Sequence, residues 1–267
     1  TLNDLLYKIA ITKIPKVGAV TAKNLISYCG GAKSVFEATR KELLRIPNIG
    51  ATMANTILEQ DVLEAAAQEL SFIEQHDIKV LYYLNEDYPS RLKPYNDSPP
   101  VLYYKGTSNL NTARILGIVG TRKPTVHGVA MCEEIVSQLQ AYNVMVVSGL
   151  AYGIDVTAHR QCLKINMETV GVMGSGLGRI YPAQHRQTAI QMAENGGILT
   201  EYTHDQGPDR EHFPAGNRII AGLCDALIVV ETATKGGSMI SANKALDYNK
   251  EVFALPGRAK DESSKGC

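Results

Sequence analysis

Three short apolar runs, each closing on glycine beside a hydroxyl residue, constrain the fold of this chain more than any other feature. Ile115–Val119 runs into Gly120-Thr121-Arg122-Lys123, and Val144–Val147 into Ser148-Gly149-Leu150-Ala151-Tyr152-Gly153. Thr169–Met173 runs into Gly174-Ser175-Gly176-Leu177-Gly178. Each then leads toward a helix-like stretch. Runs rich in Val and Ile with turn residues behind them read as buried parallel strands. Parallel strands deliver their C-terminal ends to one edge of a sheet, so the three loops are expected side by side. Amides and hydroxyls there would form a shelf for phosphates, with Arg122, Lys123 and Arg179 supplying charge.

The same alternation continues along the chain. Strands are expected near 115–119, 144–147, 169–173, 198–201, 226–231 and 252–254, with helices near 128–142, 154–164, 185–194, 217–223 and 239–249. Spacing of this kind requires right-handed crossovers and gives a doubly wound, Rossmann-like, mostly parallel α/β sheet. A helix near 61–75, a strand at 78–83, a Pro/Asp/Asn-rich loop over 85–100 and a strand at 101–104 come before it. Those two strands are expected to extend the sheet at one edge.

An internal repeat sets the first sixty residues apart. Ile14-Pro15-Lys16-Val17-Gly18-Ala19 matches Ile46-Pro47-Asn48-Ile49-Gly50-Ala51, 32 residues later (46 − 14). Pro closes one helix, Gly permits a tight turn, and the next helix begins with its N–H groups exposed. The segment reads as two helix-hairpin-helix units in a small all-α, SAM-like domain over 1–67, with the Rossmann-like domain over 68–267. Such hairpins can grip a phosphate through the loop and helix N-terminus. Lys16 and Lys23 are the cations with reach, while a helical bundle used only for packing or protein contacts is the plainer reading.

Bulk composition narrows the class. Lys+Arg and Asp+Glu both total 27, so no overall field draws in nucleic acid or membranes, and any polyanion must be held by local clustering. The five cysteines are odd in number, scattered and without a C-x-x-C pair, which favours reduced thiols over a disulfide framework or zinc site. No signal peptide opens the sequence, and no apolar run reaches the roughly 18–20 residues of a bilayer span, so a cytoplasmic protein is expected. Thr1 and the polar run before Cys267 suggest that the natural chain extends further.

Several phrases together resemble the DprA (Smf) family of bacterial DNA-processing proteins of natural transformation. They are Asp87-Tyr88-Pro89 with Leu92, Gly117 through Arg122 with Gly128, and Val147 through Asp155 with Ala158-His159. Gly174-Ser175-Gly176-Leu177, Tyr181-Pro182, Glu201, Asn217 through Gly222, Gly236-Gly237-Ser238 and Val252 through Gly257 complete the series. The resemblance implies a cytoplasmic, non-catalytic protein without cofactor or metal. It would bind and protect single-stranded DNA, form dimers, and help load the RecA recombinase onto that DNA. Two positions depart from the pattern. Gly216 stands where the family usually has Arg, and Ala183 where some relatives carry Lys, so a cation is missing from the binding edge. Many members also continue into a winged-helix-like domain that this sequence lacks.

The DNA-binding set expected from these readings is Gly120, Thr121, Arg122, Lys123, Ser148, Gly149, Ser175, Gly176, Arg179, Asn217, Arg218 and Lys235. Thr121 can hydrogen-bond a phosphate, and Arg122 can hold one bidentately. Ser148-Gly149 and Ser175-Gly176 would cradle others, unless small residues there only serve tight strand–helix packing. For Arg179 and Arg218 the competing reading is a salt bridge with Glu201 or Asp205. Asp155 and His159, four apart on a helix, read as a helix cap and a packed histidine rather than a catalytic pair. Tyr152, Tyr181 and Phe213 fall where a ring could stack on an unpaired base. The alternative function is an enzyme that binds a nucleotide or other phosphorylated small molecule at the same edge. Against it, no G-x-G-x-x-G follows the first strand, and no Gly-Lys-Ser/Thr loop is present.

Overall fold

A computed structural model of the chain describes residues 1–209, 212–258 and 260–267, with the side chains of Phe213 and Ser263 left aside. By internal contacts it divides into two units, Thr1–Asn85 with Tyr95–Leu102, and Glu86–Pro94 with Tyr103–Cys267. The expected boundary at 67/68 falls inside a helix of the first unit.

The first unit carries helices α1 (Leu2–Lys13), α2 (Ala19–Cys29), α3 (Ala32–Glu37), α4 (Arg40–Leu44), α5 (Ala51–Leu58) and α6 (Leu63–Gln75), then strand β1 (Lys79–Tyr82). The sequence repeat is also a backbone repeat. Lys16 and Asn48 both adopt positive φ, 63° and 66°, and Gly18 and Gly50 cap α2 and α5 with nearly identical dihedrals. Ile14, Val17, Ile46 and Ile49 are buried, so each turn is pinned by the apolar residues that define the repeat. Elsewhere Thr39 and Glu42 form a reciprocal capping box on α4. Lys23 departs from expectation: its ammonium donates to Ser98 Oγ (2.8 Å) and to the Tyr95 and Asn96 carbonyls, so it braces the 95–98 loop.

The second unit alternates as the pattern requires. Strands β2 (Val101–Gly106), β3 (Ile115–Gly120), β4 (Met145–Gly149), β5 (Thr169–Val172), β6 (Gly196–Thr200), β7 (Ala226–Val230) and β8 (Glu251–Leu255) are joined from β3 onward by α7 (Val126–Leu139), α8 (Ile154–Lys164), α9 (Arg186–Glu194), α10 (His212–Leu223) and α11 (Gly237–Asp247). The order in the eight-stranded sheet is β1-β2-β6-β5-β4-β3-β7-β8. From β6 to β8 every pairing is parallel; β2 runs antiparallel to β6. Ile118, Val146, Ile154, Cys162 and Val136 form one buried layer between sheet and helices; Met173, Met192, Ala189 and Ile198 form another. Each full burial of a side chain this size contributes about 1.5–3 kcal/mol.

The Asp87-Tyr88-Pro89…Leu92 phrase belongs to this scaffold. Tyr88 and Leu92 are buried, and between them Arg91 grips Asp225 with two hydrogen bonds, 2.7 and 3.0 Å. Asp225 in turn accepts the Ile115 N–H, so the clasp ties down the starts of β3 and β7, away from their carboxyl ends. Burial pulls the Asp225 carboxyl upward, but the Arg91 bonds, the Ile115 amide and the charges of Arg91 and Lys250 together outweigh it and hold the group below its usual range.

Candidate nucleic-acid interface

Parallel register brings Gly120, Gly149, Val172 and Val230 to one edge: Gly120 pairs with Val230, and Gly149 with Val172. The loops after β3, β4, β5 and β7 therefore share that edge, as the three junctions required. What they expose there is different from the expectation.

The loop after β3 is held from three sides. The Thr121 N–H donates to the Glu231 carbonyl (2.7 Å) at the end of β7, and the Thr121 carbonyl accepts from Ile154 N (3.1 Å) at the start of α8. Its own hydroxyl accepts from Lys123 N. Gly153, at φ 81°, passes so close beneath that a Cβ would strike the Thr121 carbonyl and Arg122 backbone. Thr125 caps α7 by accepting from Gly128 N (3.0 Å). From this fixed loop the Arg122 and Lys123 side chains are exposed. Arg179, after β5, and Lys235, after β7, are exposed as well.

The hydroxyls face inward. Ser148 is fully buried against Asp155, and Ser175 is buried with its hydroxyl donating to the Arg179 carbonyl (2.7 Å). Gly176 N donates to the Gln206 carbonyl, and a Cβ there would strike the Thr203 carbonyl. Gly149 lies under the Asp155 carboxylate. Small residues at 148–149 and 175–176 thus permit backbone packing, and their hydroxyls do not reach the surface. Arg218 is also committed inward, holding Glu201 with two bonds of 2.6 and 2.7 Å and the Ala215 carbonyl with a third. Its reading as a phosphate partner gives way to the salt bridge, which fixes α10 to the loop after β6. Asn217, half-buried, reaches the Gly237 carbonyl at 3.4 Å. Gly216 is buried near Val172. Tyr152 and Tyr181 are exposed at this edge; the Phe213 side chain lies outside the described residues.

Three buried polar groups support the edge from below. Asp155 does not cap its helix: its carboxyl meets the ends of β3 and β4. Burial pushes it up to about 7, against the opposing pull of the Ser148 hydroxyl, the Arg122 guanidinium and the Gly120 and Gly149 amides. His159 donates from Nε2 to the Gly149 carbonyl (2.7 Å), with Nδ1 2.6 Å from Thr169 Oγ1. Burial lowers it to about 4, so the ring is a neutral spacer at ordinary pH. The third is Glu231, buried beneath Thr125, which sequence reasoning missed.

A mostly parallel, doubly wound α/β sheet with the loops after β3, β4, β5 and β7 gathered at one edge places the chain in the Rossmann-like class. The chain belongs to the DNA recombination-mediator protein A family, which matches residues 79–267. It is 37% identical to protein Smf of Synechocystis over 99% of this chain and 68% of that protein, and 37% identical to DNA processing protein DprA of Bacillus subtilis over 74% and 67%. It spans about two thirds of the length of these curated relatives. The crystal structure of DprA from Streptococcus pneumoniae superposes with a TM-score of 0.81 at 28% identity, covering 98% of this chain and 89% of that one. A Helicobacter pylori DNA processing protein A, studied for its single-stranded DNA binding mode, superposes at 0.65 with 32% identity, covering 71% and 84%.

Proposed function

We propose that this chain binds single-stranded DNA along the carboxyl edge of its sheet, protects it, and helps load the RecA recombinase during natural transformation, as a cytoplasmic homodimer without catalytic chemistry of its own. The observation that carries the reading is the Arg122-Lys123 pair, exposed on a loop anchored to both β7 and α8. Arg179 and Lys235 follow neighbouring strands at the same edge and extend the cationic line. Relatives named for DNA processing, and the single-strand binding of the Helicobacter pylori protein, support it. Because the hydroxyls and several glycine amides are used internally, cations carry the phosphate contacts. Tyr152 and Tyr181 offer rings on which bases can stack, at about 1–3 kcal/mol each.

Binding of this kind is sequence-independent and sensitive to salt. With about 3–5 phosphates engaged, the slope of log affinity against log salt is around −2 to −3.5 for a single strand. Fluorescence anisotropy with an oligo-dT strand at two salt concentrations measures it. Arg122→Ala is expected to lose affinity and to flatten the slope by about 0.7. Unchanged binding by that variant refutes the assignment. A mononucleotide bound in place of the strand favours a phosphorylated small molecule as the ligand of this edge.

A further inference from the structure

Glu231 sits in a place that ordinary strand termination does not require. It follows directly on β7, is 3% exposed, and adopts φ 50°, a left-handed backbone that costs a non-glycine residue free energy. Its carboxylate accepts two hydrogen bonds from one residue across the sheet edge: Thr125 N at 2.8 Å, and the Thr125 hydroxyl through a very short contact. Its carbonyl accepts from Thr121 N. Glu231 therefore holds both ends of the loop whose centre is Arg122-Lys123. Gly128 completes the fit, because any side chain there would collide with the carboxylate. The Thr125 hydroxyl donates to Glu231 while accepting from Gly128 N, so the hydroxyl that fixes the loop also caps α7.

We infer that Glu231 is the positioning residue of the DNA-binding edge: it touches no phosphate, but clamps residues 121–125 in the one conformation that presents Arg122 and Lys123 outward. The logic is one of hydrogen-bond satisfaction as well as geometry. A buried carboxyl group within the loop's footprint is tolerated because two donors of Thr125, its N–H and its O–H, satisfy it. Without those acceptors the loop's Thr125 amide and hydroxyl turn to solvent, and the cations must be ordered at the moment of binding. That ordering costs conformational entropy which the clamped loop has already given up on folding. This inference rests on the proposed single-strand site.

The test compares wild type with Glu231→Gln, Arg122→Ala and the double variant by anisotropy with oligo-dT at two salt concentrations. Deuterium uptake of the amides over 121–125 is followed in parallel. Glu231→Gln is expected to weaken binding roughly tenfold, to increase uptake over 121–125, and to have little further effect once Arg122 is gone. Thr125→Val, which removes one arm of the clamp, should behave like Glu231→Gln, and Thr125→Ser should restore wild-type binding. That pair stands in if Glu231→Gln does not fold. Wild-type affinity in Glu231→Gln, full additivity with Arg122→Ala, or unchanged uptake over 121–125 each overturns the clamp. If Arg122→Ala itself binds normally, the site reading fails, and deuterium uptake alone decides whether Glu231 orders the loop.

Discussion

Asp155 places an ionisable group beneath an anion site, and the sign of its effect follows from burial. Its folded-state value of about 7 lies above the ordinary carboxyl value of 3.8, so the folded chain keeps a proton that the unfolded chain releases. Stability is therefore greatest below pH 4 as far as this group is concerned, and falls as pH rises from about 4 to about 7. At about 1.4 kcal/mol per pH unit, the full window is worth ~4 kcal/mol. Asp155→Asn carries no such proton, so its urea midpoint should vary less between pH 4.5 and 7.5 than that of wild type. Parallel curves for the two proteins would show that Asp155 is ionised throughout. The same charge repels a phosphate at Arg122, so oligo-dT binding should tighten as pH falls from 8 to 6 in wild type and stay flat in Asp155→Asn.

Loop placement depends on glycine at few positions, and Gly153 is the most demanding. It combines φ 81° with direct contact on the Thr121 and Arg122 backbone, so Gly153→Ala must move the loop away from the start of α8. A loss of roughly 1–3 kcal/mol in stability is expected from the strain, together with weaker oligo-dT binding. Gly18→Ala is the control: its φ is −86°, a Cβ there meets nothing within 4 Å, and it should change neither quantity. Equal melting temperatures for wild type and Gly153→Ala would contradict the packing described. The comparison also shows what sequence can and cannot disclose. Val- and Ile-rich runs placed β3, β4, β5 and β7 within a residue or two, because burial on both faces leaves that signature. β6 was expected at 198–201 but begins at Gly196, since Gly197 makes room for the Tyr104 ring of the antiparallel neighbour β2. The edge itself, Arg122 and Lys123 were legible from the junction. For Ser148 and Ser175 the sequence left a phosphate cradle and tight packing both open, and Glu231 was not legible, since its partner Thr125 is 106 positions away. Short-range patterns report periodicity and turns; they are silent about which distant loop a strand end will meet.

Net charge of zero limits what one copy of the chain can do. A short line of four exposed cations gives modest affinity, and two linked copies raise it by making the second contact intramolecular. The sheet offers a place for such pairing, because β8 is hydrogen-bonded to β7 on one side and ends the strand order on the other. It is an edge strand whose guards, Lys250, Glu251 and Pro256, lie only at its ends, and Phe253 at its centre is 58% exposed. Burying the exposed part of that ring against a second copy contributes about 1–2 kcal/mol per protomer. For the proposed homodimer paired through β8, Phe253→Glu should shift the chain toward monomer in sedimentation or light scattering, with its circular dichroism unchanged. On a strand long enough for two protomers, its oligo-dT affinity should fall several-fold, while on a strand that fits one it should match wild type. A dimer that persists in Phe253→Glu would move the pairing surface away from β8, and equal loss on both strand lengths would mean that the substitution damages the binding edge instead of the linkage between copies.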